Sequence, residues 1–146
     1  MNLANTRGPG LLGYAGVLPF AALAGLSLAA PGEIRELALR AFLFYSAVIL
    51  SFLGGIRWGA AARQGSAGDS AYVVSVIPSL WAVACLAWPD PAVSAWGLAL
   101  GFAVAGLGDW LRPGAGVPSW MRPLRARLTL AVLACHAAVL VILPGI

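Results

Sequence analysis

Three residues in this 146-residue chain could do chemistry in an apolar setting: Arg57, Asp109 and His136. Arg57 and Asp109 each fall inside a long apolar run. A charge at that depth must reach the interface, find a counter-charge or line a cavity. At about 1.5 Å per helical residue, both sit on the order of 10 Å from the middle of their runs. Both lie toward the same side, so an Arg57–Asp109 ion pair is the expected arrangement. Such a pair either holds the bundle together or anchors an anionic headgroup or ligand. Trp58 and Trp110 directly follow the two charges, and they belong either to an interfacial aromatic belt or to the wall of such a site. Trp81, within Val76-Ile-Pro-Ser-Leu-Trp81, lies too deep for a belt and is expected to fill the core or stack on a bound ring. His136 is the only histidine. A neutral imidazole bonded within the bundle is the expectation for it.

The remaining chemistry is sparse. Cys85 and Cys135 sit in apolar runs without CxxC or metal spacing, which favours small buried thiols over a disulfide or a metal site. One histidine cannot supply both axial ligands of a membrane haem. No H-E-x-x-H motif or pair of intramembrane carboxylates is present. The sequence therefore points to no catalytic residues, no metal and no cofactor, and it leans away from an enzyme.

The elements that position these residues follow from composition. The chain is 61% hydrophobic and 10% charged. A soluble domain is usually about 45–50% apolar and about 25% charged, so this is a membrane composition. A span needs about 20 apolar residues. Five runs qualify, at about 11–30, 37–62, 71–88, 92–111 and 124–143, each closed by Pro or Gly. None alternates with period two. An all-α polytopic bundle of five transmembrane helices in one domain is predicted, with antiparallel neighbours. The first run is as long as a span and lacks a small-residue cleavage site, so we expect it to be retained. The connection Arg112–Arg122 reads as a structured interfacial loop carrying Trp120.

All nine basic residues are arginines. Their placement at helix ends and loops reads as topology, not as a nucleic-acid footprint. Seven fall on the side of the N-terminus and two, Arg35 and Arg40, on the other. The positive-inside rule then places the N-terminus in the cytoplasm and the C-terminus in the periplasm of a bacterium, or the N-terminus in the matrix of a mitochondrion.

Small residues mark expected helix contacts. Ser51, Gly55 and Gly59 recur at spacing four on the second helix, beside Gly54, and Gly97, Gly101 and Ala105 do so on the fourth. Such stripes let backbones approach in lipid; alternatively, Gly54-Gly55 loosens the helix beside a ligand. Pro19 and Pro78 lie within the first and third helices and are expected to bend them.

The stretch Tyr45-Ser-Ala-Val-Ile-Leu-Ser-Phe-Leu-Gly-Gly-Ile-Arg-Trp-Gly59 resembles the signature of the transmembrane protein 69-like family. Val76–Trp81, Gly101-Phe102 through Asp109, and Pro118-Ser-Trp-Met-Arg-Pro-Leu-Arg-Ala-Arg-Leu-Thr129 resemble its later parts, so the likeness runs from about Leu11 onward. It implies a small multi-helix protein of the bacterial inner membrane, with mitochondrial inner-membrane relatives, and it implies no particular activity. Two functional classes follow from the residues. One is a non-enzymatic accessory, assembly or oligomeric component acting through helix contacts with a membrane-protein partner or a second copy. The other is a binder or carrier of a hydrophobic or amphipathic small molecule such as a lipid, quinone or tetrapyrrole. A membrane enzyme is a third.

Overall fold

The structure, a computed structural model, describes residues 7–64, 68–111 and 120–143. Without water, backbone groups must bond within their own segment, so apolar runs of this length become helices. Five form: α1 (Arg7–Ala29), α2 (Gly32–Gln64), α3 (Asp69–Leu86), α4 (Pro91–Leu111) and α5 (Met121–Ile142). Each is long and apolar enough to cross a membrane. The expected loop at Arg112–Arg122 lies almost wholly outside the described residues; of it, Trp120 adjoins the start of α5 and Arg122 lies in its first turn.

Local chemistry sets the ends. Gly32 has φ 54°, a left-handed conformation that turns the chain from α1 into α2 and that glycine adopts without a Cβ penalty. Arg35 Nε donates to the Ala30 carbonyl at 3.2 Å, covering an open end of α1. Asp90 accepts the Ala92 N–H at 2.8 Å and precedes Pro91, which pairs a capping carboxylate with a proline in the first turn of α4. Ser94 Oγ then donates to the Cys85 carbonyl at 2.8 Å, tying α4 back onto α3.

Each helix packs against its neighbours in the chain; α1 also meets α5, and α2 also meets α4. Phe20 of α1, Phe42 of α2 and Phe102 of α4 surround His136 of α5, with ring centroids 6.0, 4.8 and 5.6 Å from the imidazole. All four side chains are fully buried or nearly so. Buried Ser27 and Ser46 donate to carbonyls one turn back, at 2.8 and 2.7 Å, and so leave no unmet hydroxyl. Large apolar side chains such as Leu18, Phe44, Val48, Phe52, Leu80 and Val104 point outward, the arrangement expected where the surrounding solvent is lipid.

Helix contacts correct one sequence expectation. No described residue lies within 4 Å of a Cβ built on Gly55 or Gly59, and both are exposed. The close approach is at Gly54, where such a Cβ would stand 2.5 Å from the backbone oxygen of Ser75 and 3.5 Å from the Pro78 ring. Spacing-four glycines share a helix face, but spacing alone does not say which face meets a neighbour. On α4, Gly97 abuts Cys85 and Gly101 abuts Leu50 and Trp81. Pro19 and Pro78 lie within helices that continue through them.

Candidate functional site

The charges meet where α2, α4 and α5 come together. Arg57 reaches from α2 to α4. Its Nη2 donates to Asp109 Oδ1 at 3.0 Å and to the Ala105 carbonyl at 2.9 Å. Gly108 makes room for it: a Cβ there would stand 3.2 Å from Nη2. Asp109 is not reserved for Arg57. Its other oxygen lies 2.8 Å from Arg125 Nη2 of α5. That N–H does not point along the line to the oxygen, so the contact is an ion pair by distance and not an aligned hydrogen bond. Side-chain exposures of 26%, 18% and 16% for Arg57, Asp109 and Arg125 put all three mostly out of solvent.

Two guanidiniums therefore share one carboxylate, and the triad carries one uncompensated positive charge. The other carboxylate at this end of the bundle is Asp69, exposed at the start of α3; Glu33, Glu36 and Asp90 lie at the opposite end. Arg122 adds to the positive field. Its Nη2 donates to the Trp110 carbonyl at 2.7 Å, covering an open end of α4, and its guanidinium lies 5.2 Å over the Trp110 ring.

A lateral groove of about 310 Å³ runs from this triad between α3 and α4, with Leu50 of α2 among its lining residues. Ile77, Pro78, Trp81, Leu100 and Val104 make its apolar walls, and Arg57 is the one charged lining residue among the described residues. Trp81 is 42% exposed, so it does not fill the core as its depth in the sequence suggested. Its indole N–H donates to the Gly97 carbonyl at 2.7 Å, which fixes the ring as a wall of the groove. Replacing Trp81 with phenylalanine removes that bond and is expected to lower stability by about 0.6 kcal/mol, the average for an interhelical side-chain bond in a membrane bundle. Thermal unfolding of the two proteins in one detergent checks this.

The other candidates are placed apart. Trp58 packs edge-on against Tyr72 with centroids 5.0 Å apart, and Trp110 lies under Arg122. His136 is wholly buried, and its Nδ1 lies 2.9 Å from the Val132 carbonyl. A carbonyl only accepts, so Nδ1 carries the proton and Nε2 is left as an acceptor without a donor among the described residues. A larger groove of about 370 Å³ touches His136 between α4 and α5. Among the described residues it holds no charged side chain, and the buried Nε2 is not reachable from it. Cys85 and Cys135 are free thiols. Among the described residues no three His, Cys, Asp or Glu side chains gather as metal ligands.

Arg125 stands in the sequence only as a topology determinant, yet it joins the site through Asp109. A signal was available: Asp109 is the one carboxylate deep in these helices at this end, while several arginines must settle there. The Tyr45 hydroxyl, unmarked in the sequence, donates to the Gly16 carbonyl at 2.9 Å and ties α2 to α1.

Comparisons with known proteins agree with a membrane chain. A family model described as "Protein of unknown function (DUF3429)" matches residues 6–141. Transmembrane protein 69 of Xenopus tropicalis is 34% identical over 128 residues, which cover 81% of this chain and 47% of the relative. The chain thus spans about half the length of that curated relative. No solved structure matches it. The family match begins at the residue before α1 and ends within the last turn of α5. It reaches all five helices and contains the Arg57–Asp109–Arg125 triad, so this multi-pass membrane protein is a member of the DUF3429 family.

Proposed function

We propose that this protein is a non-enzymatic component of the inner membrane that holds an amphipathic hydrophobic molecule in the groove between α3 and α4. One observation carries the reading: an apolar groove ends on Arg57, a charge that the bundle has not fully neutralised. Apolar walls with a single placed polar group are the usual make-up of a small-molecule site. The orientation that fits has the triad toward the cytoplasm. Arg57, Arg63, Arg122, Arg125 and Arg127 lie at that end, against Arg35 and Arg40 at the other.

Native mass spectrometry after mild-detergent extraction tests the reading. Wild-type protein is expected to retain a small-molecule adduct. Val104→Trp, at an outward-facing position on the groove wall, is expected to fold normally and lose it. Adduct-free wild-type protein, or an adduct unaffected by Val104→Trp, would count against a groove ligand.

A second reading rests on Gly55 and Gly59, which lie open on α2. A helix of a second copy or of a partner could approach closely there. A protein partner recovered at fixed stoichiometry, and lost on Gly55→Leu, would favour that accessory role.

A further inference from the structure

We infer that the occupant of the α3–α4 groove is a lipid with a net-negative phosphate headgroup, bound with its phosphate on Arg57 and an acyl chain along Pro78 and Trp81. The inference rests on the groove reading above and adds the chemistry of the head.

Three observations point to it. The first is the charge of the triad, with two guanidiniums on one carboxylate. No acidic residue falls in the stretches 1–6, 65–67, 112–119 or 144–146, so Asp69 is the only other side-chain carboxylate at that end. Among the described residues, no second carboxylate pairs with the triad. The second is the hydrogen-bonding capacity of Arg57. Its bonds to Asp109 and Ala105 both leave from Nη2. The N–H groups of Nε and Nη1 have no acceptor among the described residues, and they belong to a side chain that lines the groove. Such a guanidinium edge, with no acceptor among the described residues, matches two oxygens of a phosphate. The third is depth. Asp109 lies two residues from the end of α4, a helix of 21 residues, about the length that crosses the hydrocarbon core. The triad therefore stands just inside the level of lipid phosphates, and the groove runs from it toward the bilayer centre. A soluble anion would satisfy the charge but leave the apolar walls unused; a neutral amphipath would fill the walls and leave the charge unmet.

Trp81 supplies the readout. Reconstitute the protein in phosphatidylcholine vesicles and titrate in phosphatidylglycerol or phosphatidylcholine with brominated acyl chains, which quench indole fluorescence on contact. The Trp81 signal is the difference between wild type and Trp81→Phe. Quenching is expected to saturate at about fivefold lower mole fraction for the anionic lipid, the factor one arginine near a membrane surface contributes. Arg57→Gln should erase the preference. Asp109→Asn should strengthen it, because the triad then carries two positive charges; a merely structural pair would give no such gain. Saturable quenching at equal mole fractions of both lipids in the wild type would overturn the headgroup assignment and leave the groove reading standing. Quenching of Trp81 that never saturates with either lipid would overturn both. A preference abolished by millimolar inorganic phosphate would show that the site takes the free anion, and would overturn the lipid as its source. The wild-type comparison decides the matter even if a variant fails to fold.

Discussion

Asp109→Ala is expected to destabilise the bundle by about 3–5 kcal/mol, the usual result of removing one partner from a buried ion pair. It should do more damage than Arg57→Ala. Removing Asp109 strands Arg57 of α2 and Arg125 of α5 together, so two cations are left facing each other out of solvent. Removing Arg57 leaves Asp109 still in contact with Arg125, a neutral pair. The same holds for Arg125→Ala, which leaves the aligned Arg57–Asp109 bond in place. The order of stabilities is therefore wild type, then either arginine variant, then Asp109→Ala, with Arg57→Ala/Asp109→Ala recovering part of the loss. Folded fraction after detergent extraction, followed by thermal unfolding, measures the order. Equal losses for Asp109→Ala and Arg57→Ala would mean that Arg125 draws nothing from the shared carboxylate.

Gly54→Val is expected to lose about 1–3 kcal/mol or more, whereas Gly55→Ala and Gly59→Ala should hold stability or raise it by up to about 1 kcal/mol. The contrast is between adjacent residues of the same type. A Cβ at Gly54 would enter the space of the Ser75 carbonyl at 2.5 Å. That oxygen belongs to the backbone of α3, which cannot step aside without moving the helix. The Cα–H of Gly54 faces the carbonyl, a contact that recurs between closely packed helices. Displacing α3 would also shift Pro78 and Trp81, so the groove should open and the Trp81 emission should change with the unfolding midpoint. Gly55 and Gly59 present no such obstacle. Matching melting curves for Gly54→Val and Gly55→Ala would contradict this packing of α2 on α3.

Much of the architecture was legible because membrane physics writes it into composition. Apolar runs of span length, punctuated by Pro31-Gly32, Pro89-Asp90-Pro91 and Arg112-Pro113-Gly114, leave the backbone no alternative to helices that stop at those residues. The cost of burying a charge made Arg57 and Asp109 natural partners, because few other charges lay at their depth. The motif Tyr45–Gly59 carried the family likeness for the same local reason: its residues lie together on one helix.

The structure decided everything that depends on which face of a helix meets which neighbour. Periodicity groups Gly55 with Ser51 and Gly59 on α2, yet the rotation of α2 against α3 selects Gly54. A tryptophan at mid-span has no sequence signature for core or lipid; Trp81 became a groove wall because the Gly97 carbonyl accepts its N–H. Whether His136 faced lipid or protein was equally open until three phenyl rings from three other helices closed around it. Sharing Asp109 between two arginines is a three-helix event, since α2, α4 and α5 each supply one member. From sequence alone came five spans, the charge asymmetry of their ends and a pair of charges in search of each other. Only their packing produced an odd charge at the end of an apolar groove, because charge balance in a low-dielectric site depends on distances between helices and not on position along any one of them.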